Sequence, residues 1–289
     1  SFSQTDPYFT IDGVSRSFEV YNRRTDPSEL NLGDYIIETT GAGLRFGYPI
    51  SEFERISFGG GYEGTDLEVG PFSPDRFQRY VDDFGNSSYA VLLNAGYSFD
   101  SRDSAIAPTR GRVTRLTAEY ATPLGDQEFI RTTYQEQFYY PIGKQYTLAL
   151  NGEITGGFGL SGSPYPIFRN VYAGGIGTVR GYRSSTLGPR DADNVPIGGS
   201  KRLIANAEFF FPIPGMTKDR TFRAFTFLDA GNVFQSNEKV KLGELRYSTG
   251  VGISWLSPVG PLKFSLGVPL NREPQDETQR VQFTIGTGF

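Results

Sequence analysis

The last stretch of about fifty residues holds three consecutive segments in which apolar side chains alternate with small or polar ones. In residues 244–257, Leu245, Tyr247, Val251, Ile253 and Trp255 alternate with Arg246, Ser248, Gly250, Gly252 and Ser254. In residues 262–270, Leu262, Phe264, Leu266, Val268 and Leu270 alternate with Lys263, Ser265 and Gly267. The third, 281–289, sets Val281, Phe283, Ile285 and Phe289 against Gln282, Thr284, Gly286 and Gly288. A period of two places the two sets on opposite faces of a sheet. So much glycine on one face leaves a soluble sheet little to pack with. A barrel in a membrane removes the difficulty, because the apolar face meets lipid and the polar face lines a lumen. The end of the chain is then the closing strand.

The rest of the sequence agrees with that class. Mean hydropathy is −0.36, and no run of about eighteen apolar residues is present, so no helix spans a bilayer. Spanning strands need only about ten alternating residues and leave a weak hydropathy signal. Aromatic residues make up 15% of the chain, with 17 Tyr and 24 Phe, and Tyr at strand ends suits an interfacial girdle. The absence of Cys excludes disulfides and Cys-ligated metal, and the absence of His excludes a Ser-His-Asp triad and the commonest metal ligand. A net charge of −4 gives no electrostatic reason to expect nucleic acid. No cofactor or metal site is expected. The first residues carry no signal-type apolar segment, which reads as a mature protein or a fragment.

Strand-like alternation recurs at 14–25, 34–48, 55–69, 88–100, 112–123, 128–142, 145–160, 201–212 and 221–234. With the three terminal segments this makes about twelve strands, plus a stub at 1–9, and the fold class is an all-β transmembrane antiparallel barrel. Short turns at 48–51, 141–144 and 257–261 mark one end. Residues 73–85 place Phe77, Tyr80, Val81 and Phe84 at helical spacing, with Ser73 as N-cap and Pro74 at the first helical position. The longest loop, 161–200, is long enough to be functional. Two carboxylates break the pattern: Glu38 and Glu136 fall on faces assigned to lipid, where a charge costs roughly 2 kcal/mol or somewhat less. Either they sit near an interface or a bulge shifts the register. A soluble β-sandwich is the competing fold.

The most specific stretch is Tyr172-Ala173-Gly174-Gly175-Ile176-Gly177-Thr178-Val179-Arg180-Gly181-Tyr182. Glycine-rich backbone around one arginine permits a sharp excursion that places the guanidinium inside the lumen. A desolvated arginine needs carboxylate partners, preferably bidentate. Glu208 is a candidate, sharing a face with Arg202 and Asn206. Asp229 is another, facing inward because a charge in lipid is costly, although Phe225 and Phe227 share its parity. The plainer reading is a solvated loop arginine and two unconnected lumen carboxylates.

Several motifs in order resemble the barrel of the BamA family of outer-membrane protein assembly factors. They are Val179-Arg180-Gly181-Tyr182, Ala207-Glu208-Phe209-Phe210-Phe211-Pro212 and Phe227-Leu228-Asp229-Ala230-Gly231. Trp255-Leu256-Ser257-Pro258-Val259-Gly260-Pro261-Leu262, the terminal strand 281–289 and Asp6-Pro7-Tyr8-Phe9-Thr10-Ile11-Asp12-Gly13 carry the likeness over nearly the whole chain. The resemblance implies a bacterial outer-membrane location and a non-enzymatic insertase that folds and inserts β-barrel proteins through a lateral gate at the terminal strand. It implies nascent outer-membrane β-barrel proteins, the lipoproteins of the BAM complex, and outer-membrane lipid and lipopolysaccharide as partners. It also implies that Arg180 packs inside the barrel against Glu208 and Asp229, pinning an extracellular loop 161–200. Gly286 and Gly288 are expected to weaken the gate edge by loss of packing. Two-partner-secretion transporters share the loop motif, and a passive porin is a weaker alternative. The family barrel has sixteen strands preceded by POTRA domains, so the resemblance implies that these domains and about four strands are missing from this sequence. Closure of the remaining twelve is expected, with residues 14–25 or the stub meeting 280–289, since an open edge in lipid leaves backbone groups unpaired.

Overall fold

A computed structural model describes residues 1–27, 33–213, 215, 221–258 and 260–286. Alternation resolves into strands wherever the sequence shows it. The first are β1 (Phe2–Asp6), β2 (Ser15–Thr25), β3 (Tyr35–Pro49) and β4 (Glu54–Val69). After helix α1 (Asp75–Phe84) come β5 (Ser87–Asp100), β6 (Gly111–Ala121), β7 (Phe129–Ile142) and β8 (Tyr146–Gly159). A two-residue strand β9 (Gly181–Tyr182) lies in the long loop, followed by β10 (Lys201–Pro212), β11 (Phe222–Phe234), β12 (Arg246–Ser257) and β13 (Gly260–Pro269). The short β14 (Thr278–Gln279) precedes the last strand, β15 (Val281–Ile285). Among the described residues, thirteen strands form one antiparallel sheet in chain order, and β9 pairs with β14. Within that sheet each strand joins the next one in the chain, through short turns at one end and longer connections at the other.

The sheet has an apolar outside and a polar inside. Leu44, Phe58, Leu93, Phe138, Val251 and Phe283 are exposed on the outer face. Small and polar residues such as Asn151, Thr155, Ser248, Ser265 and Gln282 are buried on the inner one. The core inside the sheet comes from the long loop, which packs Ala173, Val179, Tyr182 and Leu187 against Ile204 of β10 and Val233 of β11. A second cluster packs Phe77 of α1 and Ile167 and Ile197 of the loop against Tyr35 and Leu67.

Closure is the expectation that fails. The sheet order ends at β1 on one side and β15 on the other, and among the described residues these two edges do not pair. The long loop packs inside this open sheet and is tied to strands on either side of it. Arg169 at its start pairs with Glu63 of β4 and reaches Glu119 of β6 (3.5 Å). Arg180 at its middle pairs with carboxylates of β10 and β11. The two edges are also the shortest strands of the sheet, five described residues each, and have few backbone groups to offer a closing ladder.

The other departures are smaller. Helix α1 has Pro74, not Ser73, at its N-cap position, with no side-chain cap bond. The Ser73 hydroxyl instead donates to the carbonyl of Asp34 and accepts from Gly70 N–H (2.8 Å), tying the loop to the start of β3. Neither outward carboxylate needs a bulge, because the β2–β3, β3–β4 and β6–β7 registers run without interruption. Glu38 lies near the long-loop end, opposite Arg24 and bonded by Asn22 (2.8 Å). Glu136 sits mid-strand on the outer face, where the Tyr134 hydroxyl donates to it (2.9 Å). Replacing Glu136 with Leu is expected to raise the unfolding free energy in lipid vesicles by about 1 kcal/mol, read as a higher urea midpoint. An unchanged or lower midpoint would mean that this position does not face hydrocarbon.

Candidate functional site

The glycine spacing around Arg180 does what an inward excursion requires. Gly181 takes φ +86°, a conformation costly for other residues, and turns the chain so that Arg180 and Tyr182 both bury. The structure brings Arg180, Glu208 and Asp229 together. Arg180 Nε and Nη2 each donate to Asp229 at 2.7 Å, its backbone N–H donates to the same carboxylate at 3.0 Å, and Nη1 donates to Glu208. Relative exposures are 2% for Arg180, 1% for Glu208 and 0% for Asp229. Desolvation opposes the arginine's charge, but the bonds to Asp229 and Glu208 outweigh it and hold its pKa above the ordinary arginine range. The two remaining motif residues pack around it. Val179 joins the loop core, and Tyr182 donates to Tyr247 O (3.3 Å), its phenol pushed up to about 12 by burial.

Several members of the site were not singled out from sequence. Lys263 of β13 donates to both oxygens of Glu208 at 2.8 and 2.9 Å, so that carboxylate is shared between two cations. Asn206 donates to Asp229 (2.9 Å) and to Thr178 O (2.6 Å), and Asn151 of β8 donates to Asn206 (2.9 Å). Phe225 and Phe227 face inward with Asp229, and the guanidinium lies 3.7 Å from the Phe227 ring centroid. The signal for these rings was present: their parity matched that of Asp229. Their inward position also accounts for glycine on the facing strand. A side chain at Gly250 would stand 2.7 Å from Phe227 Cζ, and one at Gly252 would run into Phe225.

The loop is also fastened to the terminal strand. Gln282 of β15 donates to Tyr182 O (2.7 Å), and Gly181 N–H points back to Gln282 (3.4 Å). Beside it, Thr278 and Gln279 of β14 pair with Tyr182 and Gly181. Glu277 takes ion pairs from Arg183 (2.8 Å) and Arg190 (3.4 Å), both in the loop. Motif loop and last strand are thus one hydrogen-bonded unit.

Of the expected edge residues, Val281, Phe283 and Ile285 point outward and are exposed on β15. Gly286 follows the strand at φ +124°, with its N–H bonded to Pro261 O (2.8 Å). Gly288 and Phe289 lie outside the described residues. Five residue pairs join β13 to β15, against ten for β12 to β13. Among the described residues the last ladder is therefore the shorter one. Among the described residues no group of acidic side chains could hold a metal ion.

Residues 1–289 match the Omp85 superfamily domain. The outer membrane protein assembly factor BamA of Neisseria meningitidis serogroup B is 36% identical over a 329-residue alignment, which covers all of this chain and 41% of that protein. The chain thus spans less than half the length of this relative. Among solved structures, BamA from Haemophilus ducreyi lacking POTRA domains 1–3 superposes with a TM-score of 0.90 at 24% identity, over 97% of this chain and 60% of that one. CdiB from Acinetobacter baumannii superposes with a TM-score of 0.57 at 12% identity, over 93% and 46%.

Proposed function

Since the chain belongs to the Omp85 superfamily, we propose that it is the membrane barrel part of an assembly factor that folds and inserts β-barrel proteins into the bacterial outer membrane. The observation that carries this reading is β15, an edge strand among the described residues, beside a loop fixed inside the sheet. An edge strand presents a row of unpaired N–H and C=O groups, which lipid cannot satisfy and an arriving strand can. The β13–β15 ladder is short among the described residues, so a strand arriving here meets an edge held by few pairs. A substrate strand would exchange hydrogen bonds with water for bonds to β15 and enter the bilayer with its backbone already paired. No bond is made or broken covalently, so the reading is of a non-enzymatic insertase.

In this account Arg180, Glu208 and Asp229 keep the loop seated, so that the edge parts while the rest of the wall stays rigid. The long loop lies on the extracellular side and the short turns on the periplasmic side. Nascent barrel proteins are the substrates, lipoproteins of a BAM-type complex the accessory partners, and lipid with lipopolysaccharide the surroundings. Export of a polypeptide through the lumen, as in two-partner secretion, is the second reading, and the weaker CdiB superposition is its support. It would need the loop to leave the lumen, against ion pairs to both walls.

A photo-crosslinker at Phe283 in the full-length protein is expected to capture a nascent barrel protein during assembly. Absence of that adduct while folding of the protein itself is normal would falsify the insertase reading. Large, steady single-channel conductance would favour a porin instead.

A further inference from the structure

Below the Arg180 cluster, at the short-turn end of the sheet, lies a cavity of about 300 Å³ lined by Arg102, Arg115, Arg223 and Lys263. Glu208 is the one carboxylate in its lining, and two cations already occupy it. The nearby acids are committed too. Asp100 takes Arg102 through two bonds (2.9 and 2.7 Å), and Asp103 accepts from the backbone N–H groups of Thr109 and Arg110 (2.9 and 3.1 Å). Two guanidinium groups are left over. Among the described residues Arg115 makes one hydrogen bond, to Gln135 (3.2 Å), and Arg223 lies 4.6 Å over the Phe210 ring with no hydrogen-bond acceptor.

This surplus is local, since the chain as a whole carries a net charge of −4. A half-buried guanidinium without an acceptor is costly, and a positively lined recess with low-dielectric walls focuses its field on an arriving anion. The recess is also apolar in part, with Ile106 and Phe210 in its lining, and it reaches Gly286 at the foot of β15. A carboxylate on an extended chain arriving at that edge fits both its charge and its place. We propose that this recess binds an acidic side chain of the incoming polypeptide, with Arg115 and Arg223 as its partners. The proposal rests on the insertase reading and adds a charge preference to it.

The test uses the full-length protein in detergent and a fluorescent peptide of alternating apolar and polar residues. One version carries Asp near its end, the other Asn. Wild type is expected to bind the Asp peptide about ten-fold more tightly, with the preference shrinking as salt rises. The double variant Arg115→Gln/Arg223→Gln is expected to lose the preference while keeping its affinity for the Asn peptide. If that variant fails to fold, Arg115→Gln alone, at an exposed position, should reduce the preference. Equal binding of both peptides by wild type, or a preference that survives in the variants, overturns the proposal. So does a recess that binds inorganic phosphate while the two peptides compete for it equally. Crosslinking at Phe283 reports separately: a normal adduct with no Asp preference removes the recess alone, and a missing adduct in wild type removes the insertase reading.

Discussion

Arg180→Ala is expected to lower the unfolding free energy by about 3–5 kcal/mol, the range for removing one partner of a buried ion pair. Among the described residues the deletion leaves Asp229 with no cation partner and only Asn206 as a side-chain donor, in a buried site. Glu208 keeps Lys263, so the loss falls mainly on Asp229. It also takes a charge from above the Phe227 ring, a contact worth about another 1–2 kcal/mol when desolvated. Urea titration of the detergent-folded protein, followed by Trp255 fluorescence, measures the change as a lower midpoint. Arg180→Lys is expected to recover only part, because an ammonium cannot bond Asp229 bidentately while also reaching Glu208. A midpoint unmoved by Arg180→Ala would mean that the cluster holds nothing in place.

The second large effect needs no change of charge. A Cβ at Gly267 would stand 2.7 Å from Gly181 N, 2.9 Å from Gly181 Cα and 3.1 Å from Arg180 C. All three are backbone atoms, so no rotamer change relieves the contact. Gly267→Val is therefore expected to lift the motif strand off β13, at a cost above the roughly 1–3 kcal/mol of ordinary overpacking. It would break the Gln282–Tyr182 bond and the β9–β14 pairing with it. Trypsin reads this directly: Arg180 is buried in the wild type, and cleavage after Arg180 and Arg183 should accelerate in the variant. Gly243→Val, where a Cβ meets nothing within 4 Å, is the control and should leave digestion unchanged. In combination with Arg180→Ala, Gly267→Val should cost much less than the sum, because both variants undo one seating. Strict additivity would show that the two contacts act independently.

Parts of this site were legible in the chain before any tertiary contact was known. Arg180 stood out because glycines bracketed it, and Glu208 because it shared a strand face with Arg202 and Asn206. Asp229 was assigned inward on the cost of a charge in lipid, against the parity of two phenylalanines. That conflict came from taking every phenylalanine as lipid-facing. Phe225 and Phe227 are inside because an arginine from a distant loop sits on them, and no local pattern can announce a partner so far along the chain. Lys263 was placed on the polar face without a role for the same reason: its partner Glu208 is 55 residues away.

The glycine-lined, alternating terminal strands with which the sequence is most informative determined the class of fold, the strand order and which face meets lipid. Those properties depend on a period of two and on turn lengths, both local, and the twelve segments and the stub all became strands of one sheet. What fills the sheet and whether it closes were decided only by tertiary structure. The glycines of β12 and β13 look like an empty inner face in sequence, yet they are the clearance for Phe227, Phe225 and the backbone of Gly181. Closure was expected because a free edge in lipid is costly, yet among the described residues β1 and β15 do not pair. Arg169 ties the loop to carboxylates of β4 and β6, and Arg180 ties it to carboxylates of β10 and β11, contacts that no local pattern shows.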